Sequence, residues 1–476
     1  MEAFVETISS VNGVLNGFAW GPVMLLLLVG TGVYLSVRCG FIQSRHFGWI
    51  MKNTVGKLFQ KQDKDHGSNL SPFQAVSTAL AGTVGTGNIA GVTGALFAGG
   101  PGAVFWMWVS AFFGMCTKYA EIALAIQYRE TDEKGVYHGG PMYYIENGLG
   151  KSWKWLAVIF AIFGGLASFG IGNIAQSTEI ASALQNLFGL DKLVAGIILA
   201  VLVGFVLIGG VKRIGTVTSY LVPVMAVFYI AAGILVILLR ITQIPAALVL
   251  IVKSAFSFKA VGGGIFGYAI MLAMKNGFAR GVFSNEAGLG SAPMAHAASS
   301  TEEPCEQAIW GVFEVFIDTI VICTCTALII LLSGLYNGEH DGILLTSRAM
   351  SHHLGSMGAW YLTAAIILFA YSTIIANYFY GETNVRFITE KPWALLAFRL
   401  ASGATVMAGG LMTLQQSWSI VDLAMGLITI VNLIAVILLS RYVFRLLRDY
   451  REQRRAGQNP TFHRSMFPEA DLEAWE

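Results

Sequence analysis

The chain has 476 residues, of which 55% are hydrophobic and only 12% charged, and its formal net charge is +2. Soluble domains carry about 25% charged residues, and a soluble protein of this composition would expose large apolar patches. A soluble globular class is therefore excluded, whereas the 54 glycines suit helices packed closely in lipid.

Taking about 20 apolar residues per crossing, the chain divides into eleven predicted spans. They fall near 14–38, 72–98, 102–128, 155–186, 193–211, 215–240, 261–281, 307–334, 358–380, 394–413 and 417–446. The fold class expected is thus an all-α polytopic membrane protein. The N-terminus lacks a secretory signal pattern, since no Lys or Arg precedes Arg38, so the first span is expected to be retained.

The second span, LAGTVGTGNIAGVTGALF (80–97), is interrupted by Gly82, Gly85, Gly87 and Gly91. Backbone that leaves helical geometry in lipid strands polar groups at several kcal/mol each, so such a break belongs where protein, water, an ion or a ligand receives them. The polar stretch from Thr83 to Asn88 is therefore the place to expect a transported solute.

The seventh span carries a second polar interruption, Lys275-Asn276-Gly277-Phe278-Ala279-Arg280-Gly281, followed by Ser284-Asn285-Glu286-Ala287-Gly288. Five spans separate the two, so these helices cross in opposite directions. That is the hydropathy signature of an inverted repeat. The expected division is 1–71 for an extra helix and its connection, 72–240 and 241–446 for two five-helix repeats, and 447–476 for a tail. Each break exposes a half-helix N-terminus suited to a carboxylate. The preceding half exposes carbonyls suited to Na+ or an ammonium group. A zwitterion carried with a cation is the economical solute.

Of the 30 Lys and Arg, 22 fall on one side of this arrangement, five on the other and three within spans. The positive-inside rule then places the N-terminus outside and the basic C-terminus in the cytoplasm. The tail run RLLRDYREQRR (445–455) follows a span directly and reads as a helix on anionic lipid; no stacking aromatics or nucleic-acid motif accompany it. The five cysteines are scattered without metal or redox spacing and read as buried, inert thiols. Charged residues within spans need partners: Lys118 with Glu121, Glu314 or Asp318 with Lys275 or Arg280, and Asp422 and Arg399 as braces of the last two spans.

At this point the sequence resembles the alanine or glycine:cation symporters over nearly its whole length. The motifs that carry the resemblance are GTVGTGNIAGV (82–92), GGPGAVFWMW (99–108), GGPMYYIENGLG (139–150), GVFSNEAGLGSAP (281–293) and FAYSTIIANYFYGE (369–382). VGTGN (84–88) also resembles the broken first core helix of sodium-coupled neurotransmitter symporters, which implies a leucine-transporter-like fold. The resemblance implies Na+-coupled uptake of a small neutral amino acid across a bacterial-type plasma membrane, with no enzyme chemistry and no covalent cofactor. It places the substrate carboxylate on Gly85, Thr86, Gly87 and Asn88, and the amino group on Met274, Asn276, Gly277 and Phe278. Gln176 of the fourth span joins the pocket. Sodium ligands are implied at the backbone oxygens of Ala81 and Val84 and the hydroxyls of Ser372 and Thr373. Many relatives have a tryptophan where this chain has Asn377, so a larger neutral substrate such as glutamine stays open. Proton coupling through a membrane carboxylate is the other alternative.

Overall fold

The structure, a computed structural model, describes residues 17, 20–58, 67–256, 266–336, 342–468, 470 and 472–475. The predicted span residues 14–16, 18–19 and 261–265 lie outside them. Among the described residues β-structure is confined to a short hairpin, Glu130–Thr131 (β1) against Tyr137–His138 (β2), and a single bridge between Leu70 and Ser299. Everything else that is regular is helical, as a chain in lipid must be to satisfy its own backbone.

Six helical runs are long and apolar enough to cross a bilayer: Gly102–Gln127, Lys151–Phe188, Gly210–Leu239, Pro304–Ser333, Met357–Ile388 and Gln416–Arg455. Pro22–Arg38 (α1) and Lys192–Leu207 are shorter apolar helices. Their outward faces carry Phe205, Val224, Val227 and Leu238, all largely exposed among the described residues. Such a belt is stable only against lipid.

Gly102–Gln127 (α2) is the central element, buried along most of its length. Against it lie α1, Phe266–Asn285 (α3) and Pro304–Val315 (α4). α3 is one continuous helix, so the polar stretch from Lys275 to Gly281 is not a break. Gly277 is there for packing: a Cβ on it would meet the Ala103 carbonyl oxygen at 2.5 Å. Asn276 turns its amide back to the Leu272 carbonyl at 2.9 Å. The real interruption follows α3. Glu286, Gly288 and Gly290 have φ of +58°, +98° and +78°, and helix resumes only at Ala292–Ala297 (α5), with Pro293 in its first turn.

The first interruption lies where it was expected. Pro72–Thr83 (α6) starts with a capping box between Ser71 and Gln74 and ends at Val84; a 3₁₀ turn spans Thr86–Asn88, and Ala90–Gly99 (α7) continues the crossing. Two further irregularities went unread in the sequence. The span Lys151–Phe188 contains a π-turn at Ser168–Ile174, and Pro304–Ser333 contains one at Phe316–Cys323. Single π-turns inside helices widen the backbone and re-aim side chains, frequently at functional sites.

The final helix, Leu414–Arg455 (α8), runs unbroken into the basic segment. One face of that segment lies on protein: Arg451 donates to the Cys39 carbonyl at 2.9 Å and Arg454 sits over the Trp49 ring at 4.7 Å. The chain then folds back, burying Phe467 and Leu472 and bonding the Trp475 indole to the Gln127 carbonyl at 2.9 Å.

Candidate functional site

The site is built around the first break. The helical ladder ends with the Val84 N–H on the Leu80 carbonyl at 2.8 Å, and beyond it side chains take over much of the local hydrogen bonding. Asn88 Oδ1 accepts the Gly85 N–H at 2.9 Å, closing the 3₁₀ turn on itself. Gln176, just past the first π-turn, accepts at Oε1 from the Thr86 N–H at 3.2 Å and from the Thr86 hydroxyl at 2.9 Å. Gly85 is required for close approach, since a Cβ there would lie 2.4 Å from Thr373 Oγ1. Gly85, Thr86, Gly87, Asn88 and Gln176 therefore form one buried cluster.

Met357–Ile388 (α9 hereafter) passes directly beside it. Thr373 donates its hydroxyl to the Ala81 carbonyl at 2.8 Å, and also lies 2.9 Å from the Phe369 carbonyl of its own helix. Ala81, Val84 and Thr373 are thus gathered at the end of α6. Ser372 faces elsewhere: its hydroxyl meets the Phe369 carbonyl at 2.8 Å and Met225 Sδ at 3.3 Å. Asn377, one turn beyond Thr373, donates to the Thr373 carbonyl at 3.1 Å and abuts Gly172 in the first π-turn.

The second break approaches the first from α3. Gly87 has no room for a Cβ because the Phe283 ring is 2.8 Å from where it would be, and the Ser284 Cα 3.2 Å. Asp318, in the second π-turn, joins the two. Its Oδ1 accepts from Asn88 Nδ2 at 2.7 Å, and its Oδ2 from the hydroxyls of Ser284 at 2.8 Å and Thr319 at 2.7 Å. Asn285 in turn donates to Thr319 Oγ1 at 3.1 Å. Met274, Asn276, Gly277 and Phe278 are not part of this junction. They sit two to three turns earlier in α3, where Phe278 packs near Trp106, and their carbonyls belong to an intact helix.

The charged residues pair differently from the sequence expectation. Lys118 does not pair with Glu121. It reaches Glu314 at 3.2 Å and the Asn285 carbonyl at 2.8 Å, capping the end of α3, while Glu314 also meets His296 at 2.8 Å. Glu121 accepts from the Gly288 N–H at 3.2 Å and from the Asn432 amide. Arg280 grips Asp422 with both terminal nitrogens, at 2.9 and 2.8 Å, and stacks over Trp418 at 4.3 Å. Trp418 packs on Phe283, so this pair closes over the side chain that covers Gly87. Arg399 bonds the Tyr378 hydroxyl at 3.1 Å. The five cysteines are buried and free, and Cys323 lies 3.4 Å from Asn88 Nδ2.

The sequence missed the role of Asp318 and the position of Glu286. The second break had a readable signal in Gly288-Leu289-Gly290 followed by Pro293, a helix stop and restart.

Comparison with known proteins agrees with this architecture. A model of the sodium:alanine symporter family matches residues 5–464. A sodium/alanine symporter of Methanococcus maripaludis is 44% identical over 95% of this chain and 99% of its own. A probable sodium/glutamine symporter of Bacillus subtilis is 40% identical over 99% and 96%. Among solved structures, a Na+-coupled sialic acid symporter superposes with a TM-score of 0.53 over 94% of each chain at 11% identity, which shows a shared fold. The chain belongs to the sodium:alanine symporter family and is a multi-pass, sodium-coupled amino-acid symporter, not an enzyme.

Proposed function

We propose that the chain carries Na+ and a small neutral amino acid together into the cell, in the alanine or glycine class, by alternating access at the paired breaks. The observation that carries this reading is the cluster of Gly85–Asn88, Gln176, Ala81 and Thr373 at one interruption of the membrane helix. The backbone donors of Gly85, Thr86 and Gly87, with Asn88, receive the substrate carboxylate. Gln176 Oε1 accepts from the Thr86 N–H and moves aside for a carboxylate to take that donor. The carbonyls of Ala81 and Val84 and the hydroxyl of Thr373 receive Na+, with Ser372 turning from Met225 to complete an all-oxygen, neutral set for a hard monovalent cation. The carbonyls of Met274, Asn276, Gly277 and Phe278 are held within α3 and are not offered to the amino group.

Eleven spans, with the N-terminus outside and residues 72–240 and 241–446 as inverted halves, provide two bundles that rock around this site. The odd count and the excess of basic residues on one side support that orientation. A glutamine-sized substrate is the second reading. It is favoured by Asn377, whose small polar side chain stands where many relatives have tryptophan, and by the relative named for glutamine.

The test is uptake of labelled alanine, glycine and glutamine into proteoliposomes of the purified protein. An inward Na+ gradient should drive accumulation, and a pH gradient alone should not. Accumulation that follows pH and ignores Na+ overturns the sodium assignment.

A further inference from the structure

Glu286 is a buried carboxylate that the proposed coupling mechanism leaves unused. It opens the second break, is 1% exposed, and holds a left-handed backbone with φ of +58°. Its hydrogen-bond partner is a hydroxyl: Ser291 donates to Oε2 at 2.7 Å. Lys118, the nearby cation, is occupied by Glu314 and the Asn285 carbonyl. Among the described residues no cationic side chain forms an ion pair with Glu286. A carboxylate at membrane depth with one neutral donor is costly unless a cation visits it.

Glu286 lines a narrow cavity together with Ser291, Ser168, Asn377, Met294 and Tyr380. The Tyr380 hydroxyl is a second, independent sign of a ligand. Tyr380 is 2% exposed and its oxygen has no hydrogen-bond partner. Buried hydroxyls are nearly always paired, so an orphan calls for an unseen occupant. Asn377 spends its Nδ2 on the Thr373 carbonyl, which leaves its carbonyl oxygen for a ligand.

The position of this cavity indicates which ligand. Thr373, Asn377 and Tyr380 are four and three residues apart on α9 and share one helix face. The same face therefore leads from the proposed sodium ligand Thr373 to the cavity. The Tyr380 hydroxyl lies against Gly82, 2.6 Å from where its Cβ would be, next to the proposed ligand Ala81. In the orientation proposed above, α9 runs from outside to inside, so the cavity is the next space a cation meets on the cytoplasmic side. Its free space admits about one water-sized particle, enough for an ion and too little for an amino acid. The acceptors offered are a carboxylate, the hydroxyls of Ser168, Ser291 and Tyr380 and an amide oxygen, a hard-oxygen set.

We infer that Glu286, Ser291 and Tyr380 form a transient inner site for a small monovalent cation, which takes Na+ as it leaves the deeper ligands on its way to the cytoplasm. The inference rests on the sodium-coupled reading and on its orientation. The deep ligands are neutral and bind Na+ weakly enough to release it; the carboxylate draws the ion inward and holds its charge in a low-dielectric passage.

The test compares net uptake with exchange in proteoliposomes, using labelled alanine and glutamine. Net uptake under an inward Na+ gradient requires Na+ release to the inside, whereas counterflow with equal Na+ on both sides does not. In Glu286→Gln, net uptake should fall about tenfold, the loss of one charge-assisted contact. In Tyr380→Phe it should fall about threefold, the loss of one neutral contact. Counterflow in both should stay within about twofold of wild type. Equal loss of both activities, or loss of neither, overturns the inner site. So does an alanine affinity at least about tenfold weaker in Glu286→Gln, which would make this carboxylate the partner of the substrate ammonium. If Glu286→Gln does not fold, Tyr380→Phe decides. A wild-type protein whose uptake ignores Na+ overturns the coupling reading itself and is recognised before either variant is made.

Discussion

Asn88 and Asp318, 230 residues apart, meet through an amide-to-carboxylate hydrogen bond of 2.7 Å. That bond fastens the first helix break to the second π-turn, and the Ser284 hydroxyl on the other carboxylate oxygen brings in the end of α3. Both interruptions are thereby held against one side chain. Removing it in Asp318→Ala takes the oxygen acceptor from the Ser284 and Thr319 hydroxyls, at about 1–3 kcal/mol each, and leaves Asn88 Nδ2 only the Asp318 main-chain carbonyl at 3.1 Å. The expected result is a lower melting temperature and loss of uptake, measured by thermal unfolding in detergent and by transport in vesicles. Asp318→Asn, which keeps an acceptor for Asn88, should melt closer to wild type.

Thr373 and the Ala81 carbonyl provide the sharpest test of the cation ligands. Thr373→Ala removes the hydroxyl together with the γ-methyl and should raise the Na+ concentration for half-maximal uptake by about tenfold or more. Thr373→Ser retains the oxygen and should stay near wild type. Unchanged sodium dependence in the alanine variant would remove Thr373 from the ion site.

Gln176 occupies a donor that the substrate carboxylate is expected to need. Gln176→Glu would put a competing negative charge there. Apparent affinity for alanine should drop by about tenfold or more, with protein yield and melting temperature little altered. The measurement is KM for uptake beside direct binding of labelled alanine.

Lys118 and Glu314 are both 0% exposed, so each is costly without the other. Lys118→Met should destabilise the protein by about 3–5 kcal/mol, because Glu314 loses its ammonium partner and keeps only His296, and the Asn285 carbonyl loses its cap. The double variant Lys118→Met/Glu314→Leu should recover part of that loss. Thermal melts of the two single variants and the double variant measure the coupling.

Asn377 touches the first π-turn where Gly172 leaves no space: a Cβ on that glycine would lie 2.2 Å from the Asn377 Cβ. Gly172→Ala should therefore cost about 1–3 kcal/mol through overpacking. Asn377→Trp adds bulk at this position and should lower glutamine uptake relative to alanine by about tenfold, a size discrimination of ordinary magnitude. An unchanged ratio would show that this position does not set substrate size.

The first break was legible because nothing else explains Gly85, Thr86 and Gly87 within an apolar crossing. The second was misplaced because glycines serve two purposes in membrane helices. Gly277 and Gly281 look like a break beside Lys275 and Arg280, yet they let α3 lie against α2. Arg280 is polar because Asp422, far along the chain, requires it. The segment that does leave helical geometry, Glu286 to Ser291, carries no run of apolar residues on its far side to frame it, and α5 is only six residues long.

Sequence alone determined that the chain lives in lipid, that one of its helices is interrupted, and which motifs tie it to its family. These properties are local: hydropathy, glycine spacing and short runs of residues record them directly. Partnerships were decided by the tertiary structure. Lys118 chose Glu314 over its helix neighbour Glu121, Arg280 chose Asp422, and Asp318 was drawn between two breaks by a π-turn that shifts its direction. A buried charge or amide takes whichever partner the packed helices bring within hydrogen-bond reach, and that distance is written nowhere in the order of residues.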